Sequence, residues 1–160
     1  MAFCPLCRKK GRAVKPVTIE SLVKETARTR LTRADGFEFC AGQSCDTVYF
    51  HPQSGERILC SEVKVRIGQK ETCPPRPVCY CFGHTVEEIE EEAAKTGTSR
   101  VPESIAEQCR QGFARCEETN PQGACCLGNV QKALRSAQVR YGARISSRPR
   151  STVNVGTAIP

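Results

Sequence analysis

The chain has 160 residues, enough for one ordinary domain or two small ones, but only 39% are apolar, 6% are aromatic and none is Trp, thin material for one large core. Twelve cysteines and a formal charge of +7 point instead to a fold stapled by metal or disulfides. The opening Met-Ala-Phe-Cys-Pro-Leu-Cys has no apolar signal core, and no run of roughly 18 apolar residues follows, which sets aside secreted and membrane-spanning classes.

A cytoplasmic protein whose clustered cysteines bind metal is therefore expected. A secreted disulfide protein trimmed of its signal is the competing class, and Met1 speaks against it. In chain order, Val17 to Thr26 reads as a strand end running into a short helix. Phe37 to Phe39, Thr47 to Phe50, Arg57 to Leu59 and Val63 to Ile67 read as short strands, with Pro52 to Gly55 as a turn. In the last strand Val63, Val65 and Ile67 alternate with Lys64 and Arg66, as a half-buried strand requires.

Three prolines between Cys73 and Pro77 cannot continue a helix or a central strand, so an extended linker is expected there. Beyond it Thr85-Val-Glu-Glu88 has the form of a capping box, opening a helix that buries Val86, Ile89 and Ala93 and stops at Gly97. A second helix is expected from Pro102 to Gly112 and a third from Asn129 to Val139, burying Val130, Leu134 and Ala137. From Tyr141 the chain is rich in Ser, Arg and Pro, and a disordered tail is expected. The organisation predicted is α+β: a zinc-stapled, β-rich half over 1–72, a short-helix cluster-binding half over 73–140, and a basic tail over 141–160.

Charge is uneven along the chain: residues 86–118 hold nine acids and four bases, and 127–160 six bases and no acid. The basic end could touch nucleic acid, but no stacking aromatics or nucleic-acid fold signature accompany it, and a solvated tail is the simpler reading. The Glu88 to Glu92 run reads as a solvated helix face. No Ser/His/Asp set, phosphate loop or paired-carboxylate site is visible. His51 and His84 stand alone, and a capping or surface role is expected for His84.

Two cysteine constellations carry the chemistry. Cys4-Pro-Leu-Cys7 and Cys40-Ala-Gly-Gln-Ser-Cys45 have the C-x2-C and C-x4-C spacings of a closed structural site, and four thiolates suit zinc. The second constellation is Cys79, Cys81, Cys109, Cys116, Cys125 and Cys126. A C-x-C pair puts two thiolates on one turn, and a second group some 35 to 45 residues downstream closes a four-thiolate site suited to a [2Fe–2S] cluster. Cys109 falls inside a predicted helix beside Ile105 and reads as core, whereas Cys116 falls on a loop after Gly112. Cys126 is favoured over Cys125 because it immediately precedes a helix whose first N–H groups can bond cluster sulfurs. Spacing alone leaves Cys125, Cys109 and a second zinc site open. Cys60 reads as a buried thiol and Cys73 as an exposed one.

Pro77-Val-Cys79-Tyr-Cys81-Phe-Gly-His-Thr85 and Asn120-Pro-Gln-Gly-Ala-Cys125-Cys126-Leu-Gly-Asn-Val130 resemble the N-terminal domain of CopZ-type copper chaperones. Cys4-Pro-Leu-Cys7 and the stretch from Phe39 to Phe50 match as well, so the resemblance covers about residues 1–140. It implies zinc on Cys4, Cys7, Cys40 and Cys45. It also implies a [2Fe–2S] cluster on Cys79, Cys81, Cys116 and one of the final pair, in a half similar to bacterioferritin-associated ferredoxin. A complete chaperone of that type adds a ferredoxin-like domain with an M-x-C-x-x-C loop. Here the only Met is Met1, the only C-x-x-C is Cys4 to Cys7, and no room for such a domain is expected after Val139.

The function expected is metal handling, copper above all, with the cluster as a one-electron donor to a metal or partner protein rather than an enzyme active site. Implied partners are a separate heavy-metal-binding copper carrier or a copper-transporting ATPase, and Cu(I) could bind spare thiols such as Cys125 or Cys109. The alternative is a non-redox interaction or sensor module in which zinc and cluster are both structural.

Overall fold

A computed structural model describes residues 2–146. In chain order the elements are β1 (Arg12–Ala13), α1 (Pro16–Leu22), α2 (Glu25–Arg28), β2 (Glu38–Phe39), β3 (Thr47–Phe50), β4 (Arg57–Leu59) and a 3-10 turn (Cys60–Glu62). The second half follows with β5 (Pro77–Cys79), β6 (His84–Thr85), α3 (Val86–Thr96), α4 (Val101–Arg110), α5 (Cys116–Thr119) and α6 (Leu127–Ser146). Helix and sheet are mixed, with strands concentrated in the first half and helices after them.

The first half is a four-stranded antiparallel sheet in the order β1-β2-β3-β4. Its core gathers Ile19, Leu22, Val23, Phe37, Phe39, Val48, Tyr49 and Ile58. All four residues of β3 are buried, because Phe50 packs with Cys4, Cys40 and Cys45 while Val48 and Tyr49 join the main core. Two sequence expectations fail here. Val17 to Thr26 contains no strand: Pro16 opens α1, and α2 follows after Val23. Val63 to Ile67 is also not a strand: Val63 makes one isolated bridge to Val23, and Val63 and Ile67 are buried from a bent segment without a ladder partner. Their alternation reflects burial against α1 and α2, which a period of two does not distinguish from a strand.

The second half begins on a two-stranded hairpin, β5 with β6, which the proline run concealed in the sequence. Helices α3, α4 and α6 then close a second core over Val78, Ile89, Val101, Ile105 and Val130. Thr85 caps α3 by accepting from the Glu88 N–H at 3.3 Å, and Gly97 ends it in the left-handed region. Glu88 does not complete the box; its carboxylate bonds His84 Nδ1 at 2.9 Å. Nor is Glu88 to Glu92 merely a solvated face: Glu92 accepts from Ser99 Oγ at 2.5 Å and the Arg100 N–H at 2.9 Å, which seats the start of α4.

Helix α6 runs through Ser146, past the Val139 end that the apolar spacing suggested and into the stretch expected to be a disordered tail. Residues 147–160 lie outside the described residues. The proline run joins the halves without parting them, since Tyr80 Oη donates to Arg66 O at 2.8 Å and accepts from the Gly68 N–H at 2.9 Å. Among the described residues no helix is long and apolar enough to cross a membrane.

Candidate metal centres

The first centre is built on a knuckle. Phe3 bridges Lys10, and between them the Cys4 N–H donates to Lys9 O at 2.8 Å while Arg8 turns the chain with φ of 60°. This folds Cys4 and Cys7 back over the loop that leaves β2 with Cys40 and returns to β3 through Cys45. The four Sγ atoms lie within 4.8 Å of one another, the only such group of three or more potential ligands among the described residues. Cys4 and Cys45 are 3.9 Å apart and Cys7 and Cys40 3.4 Å. A sulfur tetrahedron with Zn–S bonds of about 2.3 Å has edges of about 3.8 Å, so the donor set and its spacing fit zinc.

The surroundings support thiolates unevenly. Burial alone would raise Cys7, but the Lys9 backbone and the neighbouring thiols more than offset it and bring the thiol down to about 7. Burial pushes Cys40 and Cys45 up, so a cation entering here displaces protons. Lys70 Nζ clasps the loop from outside, donating to Gly42 O at 2.7 Å and Cys45 O at 2.9 Å. Gly42 bonds Cys40 Sγ through its N–H at 3.4 Å, and a Cβ there would stand 2.8 Å from Cys7 Sγ.

The second set of cysteines gathers where the β5–β6 hairpin meets α4, α5 and the start of α6. Cys79 ends β5, Cys81 lies in the hairpin turn, Cys116 opens α5 and Cys126 immediately precedes α6. Cys116 thus sits on a helix, not on the loop the sequence suggested. Cys81 and Cys116 have their sulfurs 3.6 Å apart, and Cys79 and Cys126 lie together in the second buried core. The neighbouring Cys126 thiol, aided by the N–H groups of Phe82 and Cys81 and by His84, lowers Cys79 to about 6, and Cys79 in turn holds the Cys126 proton in place. Burial, followed by the neighbouring Cys81, pushes Cys116 up to about 12.

Cys79 and Cys126 are buried, whereas Cys81 and Cys116 are half-exposed. Cys125 points out to solvent, and Cys109 is half-buried at the rim, its thiol raised by burial and by the nearby Cys125, Cys79 and Cys81. Cys60 is half-buried at the 3-10 turn, its thiol raised chiefly by burial with Cys45 of the first set among its neighbours, and Cys73 is exposed. His84 is more than a capping residue, since its ring lies beside Cys79 across the hairpin and its buried Nε2 has no partner among the described residues. His51, buried, accepts the Ser54 N–H at its Nδ1 and packs on the edge of Phe37.

Several residues at these centres carried no sequence signal. Thr119 Oγ1 stands 3.1 Å from Cys81 Sγ, and the Arg115 N–H reaches the same sulfur at 3.3 Å. Lys70 lies 25 residues beyond the cysteine whose carbonyl it holds. Only Gly42, a small residue between two ligand candidates, stood in view.

Residues 1–64 match the CopZ-type family model described as a zinc binding domain. The copper chaperone CopZ of Archaeoglobus fulgidus is 37% identical over 133 residues, 82% of this chain. The match takes in 61% of that relative, so the chain spans about three-fifths of its length. The X-ray structure of the Archaeoglobus fulgidus CopZ N-terminal domain is 34% identical, with a TM-score of 0.66 over 81% of this chain and 95% of that one. Sequence and overall fold therefore lead to the same relative, and the chain is a CopZ homologue that carries the N-terminal zinc-binding domain of the CopZ type.

Proposed function

We propose that this protein handles metal, copper above all, through two separate thiolate centres: zinc held by Cys4, Cys7, Cys40 and Cys45, and a [2Fe–2S] cluster held by Cys79, Cys81, Cys116 and Cys126. The observation that carries the second assignment is that Cys81 and Cys116 close to 3.6 Å beside the buried Cys79 and Cys126, while no three of these sulfurs draw together within 4.8 Å as the four of the zinc set do. A mononuclear tetrahedral ion draws four sulfurs into one group, as at the zinc set. A dinuclear cluster draws them into two pairs, one per iron. When bound, the cluster supplies reversible one-electron chemistry.

The residues divide the work. Cys79 and Cys126 anchor the inner side in the second core. Cys81 and Cys116 form the side open to solvent, where a metal ion or partner protein can approach to take the electron. The substrate we favour is Cu(II), reduced to Cu(I) and passed to a separate heavy-metal-binding carrier or a copper-transporting ATPase; Cys125 and Cys109, unused and at the rim, offer soft donors on the way. This work belongs in a reducing cytoplasm, where free thiols persist.

Anaerobically purified protein is expected to be red-brown and to contain two iron and one zinc per chain, with a thiolate-to-iron absorption band that bleaches, and an EPR signal that grows, on reduction. Colourless protein with two zinc and no iron would overturn the reading. A cluster that cannot be reduced and reoxidised would leave the binding sites but convert the function to a structural or sensing module.

A further inference from the structure

The two halves of the proposed cluster site are not equivalent, and the difference converges on one hydroxyl. Building on the cluster reading above, we infer that Thr119 is a positioning residue that raises the centre's affinity for its electron by donating a hydrogen bond from its hydroxyl to Cys81 Sγ.

Thr119 closes α5, one turn after Cys116. Its Oγ1 lies 3.1 Å from Cys81 Sγ and 2.9 Å from Arg115 O. A hydroxyl has one proton, so it serves one of these acceptors at a time. The carbonyl's acceptor strength is fixed, but the sulfur's is not. With the cluster bound, uptake of one electron from a reduced donor such as dithionite would convert one ferric ion to ferrous and break no bond. The added charge spreads onto the ligating sulfurs, and the hydroxyl then gains most by turning to Cys81, because hydrogen bonds to charged acceptors are the stronger ones. The proton stays on Thr119 throughout and only changes direction. A donor that binds the reduced state better than the oxidised state favours reduction.

The inner pair has no side-chain hydroxyl bonded to it among the described residues; the adjustable side chain beside it is the His84 ring, across the hairpin from Cys79. Cys79 and Cys126 are also shut away from water, at 1% and 2% exposed. Added charge costs less at the half-exposed Cys81 and Cys116, where water can answer it. The Arg115 N–H at 3.3 Å from Cys81 Sγ is the fixed counterpart of Thr119 on the outer side. Thr119 is thus the one side-chain hydroxyl among the described residues seen to bond a cysteine of the second set.

The test compares wild type, Thr119→Val and Thr119→Ser as full chains. Iron and zinc are measured first, then each protein is titrated with dithionite in the presence of mediators, followed by visible absorption and EPR. The valine variant, close in shape but without the hydroxyl, should keep its iron and its thermal midpoint. Its equilibrium constant for reduction should fall about tenfold, ~59 mV for one electron. The serine variant should return to within about threefold of wild type, a difference of less than ~30 mV by the same constant. If valine loses iron, Thr119→Ala removes the same hydroxyl with less bulk and carries the same expectation. Equal potentials in wild type and an iron-loaded valine or alanine variant overturn the inference, as does a serine variant that behaves like valine. Wild-type protein without iron overturns the cluster reading itself, so the two failures are told apart by metal content.

Discussion

Gly42 sits between two cysteines of the zinc set and has a role that no other residue can fill. Its N–H donates to Cys40 Sγ, and an added Cβ would lie 2.8 Å from Cys7 Sγ and 3.1 Å from Cys45 Cβ. With zinc bound as proposed, neither neighbour could yield, because the tetrahedron would fix both cysteines. Gly42→Ala is therefore expected to weaken zinc retention by about tenfold to a hundredfold, the range for disturbing atoms that support a metal's ligands. Competition with a chromogenic chelator measures it, and wild-type retention in the alanine variant would refute the role. The four cysteines themselves were legible from the C-x2-C and C-x4-C spacings. The need for glycine was not, because it arises from Cys7, 35 residues away, being folded against the loop.

At the scale of elements, α3 is secured by a guanidinium outside it. The Arg76 N–H donates to Glu87 Oε2 at 2.8 Å, its Nε to Glu87 Oε1 at 2.5 Å and its Nη2 to Glu90 Oε2 at 3.0 Å. Burial alone would raise the Glu87 carboxyl, but the Arg76 backbone and guanidinium outweigh it and hold the group below the usual carboxylate range. A carboxyl lowered in the folded state stabilises the fold above its unfolded value of about 4.3. That contribution is complete at neutral pH and is lost as the pH falls through the lowered folded value. Denaturant titrations at several pH values should show Glu87→Gln costing about 1 kcal/mol at pH 7 and converging with wild type in acid; parallel curves would argue against the link. The helix itself was readable, since Thr85, Ile89, Ala93 and Gly97 mark its cap, face and end. Arg76 was not readable as its anchor, because a base in a proline run carries no period. The same limit explains Val63 to Ile67, where alternation recorded burial and not pairing.

Across the whole molecule, the two halves share buried polar contacts. Tyr49, fully buried in the sheet core, donates its phenol to Pro121 O at 2.8 Å, and Thr18 Oγ1 donates to Glu117 O at 2.7 Å. Gln69 Nε2 donates to Gln122 Oε1 at 2.9 Å, and Gln122 in turn donates to Cys125 O at 2.9 Å. The turn that carries Cys125 and Cys126 is therefore held partly by the zinc-bearing half. Nothing in the sequence foretold this, since contacts 72 and 99 residues apart leave no local pattern. Losing the Tyr49 hydroxyl strands a buried carbonyl, which costs about 1–3 kcal/mol, and the cost should fall on both halves at once. Tyr49→Phe should thus lower the midpoint of one shared unfolding transition, with far-UV circular dichroism, dominated by α3, α4 and α6, coinciding with zinc release to a chromogenic chelator. If zinc left the variant in a separate step while the helical signal stayed at its wild-type midpoint, the halves would be independent, and the Tyr49 bond would be a contact without mechanical consequence for the helical half.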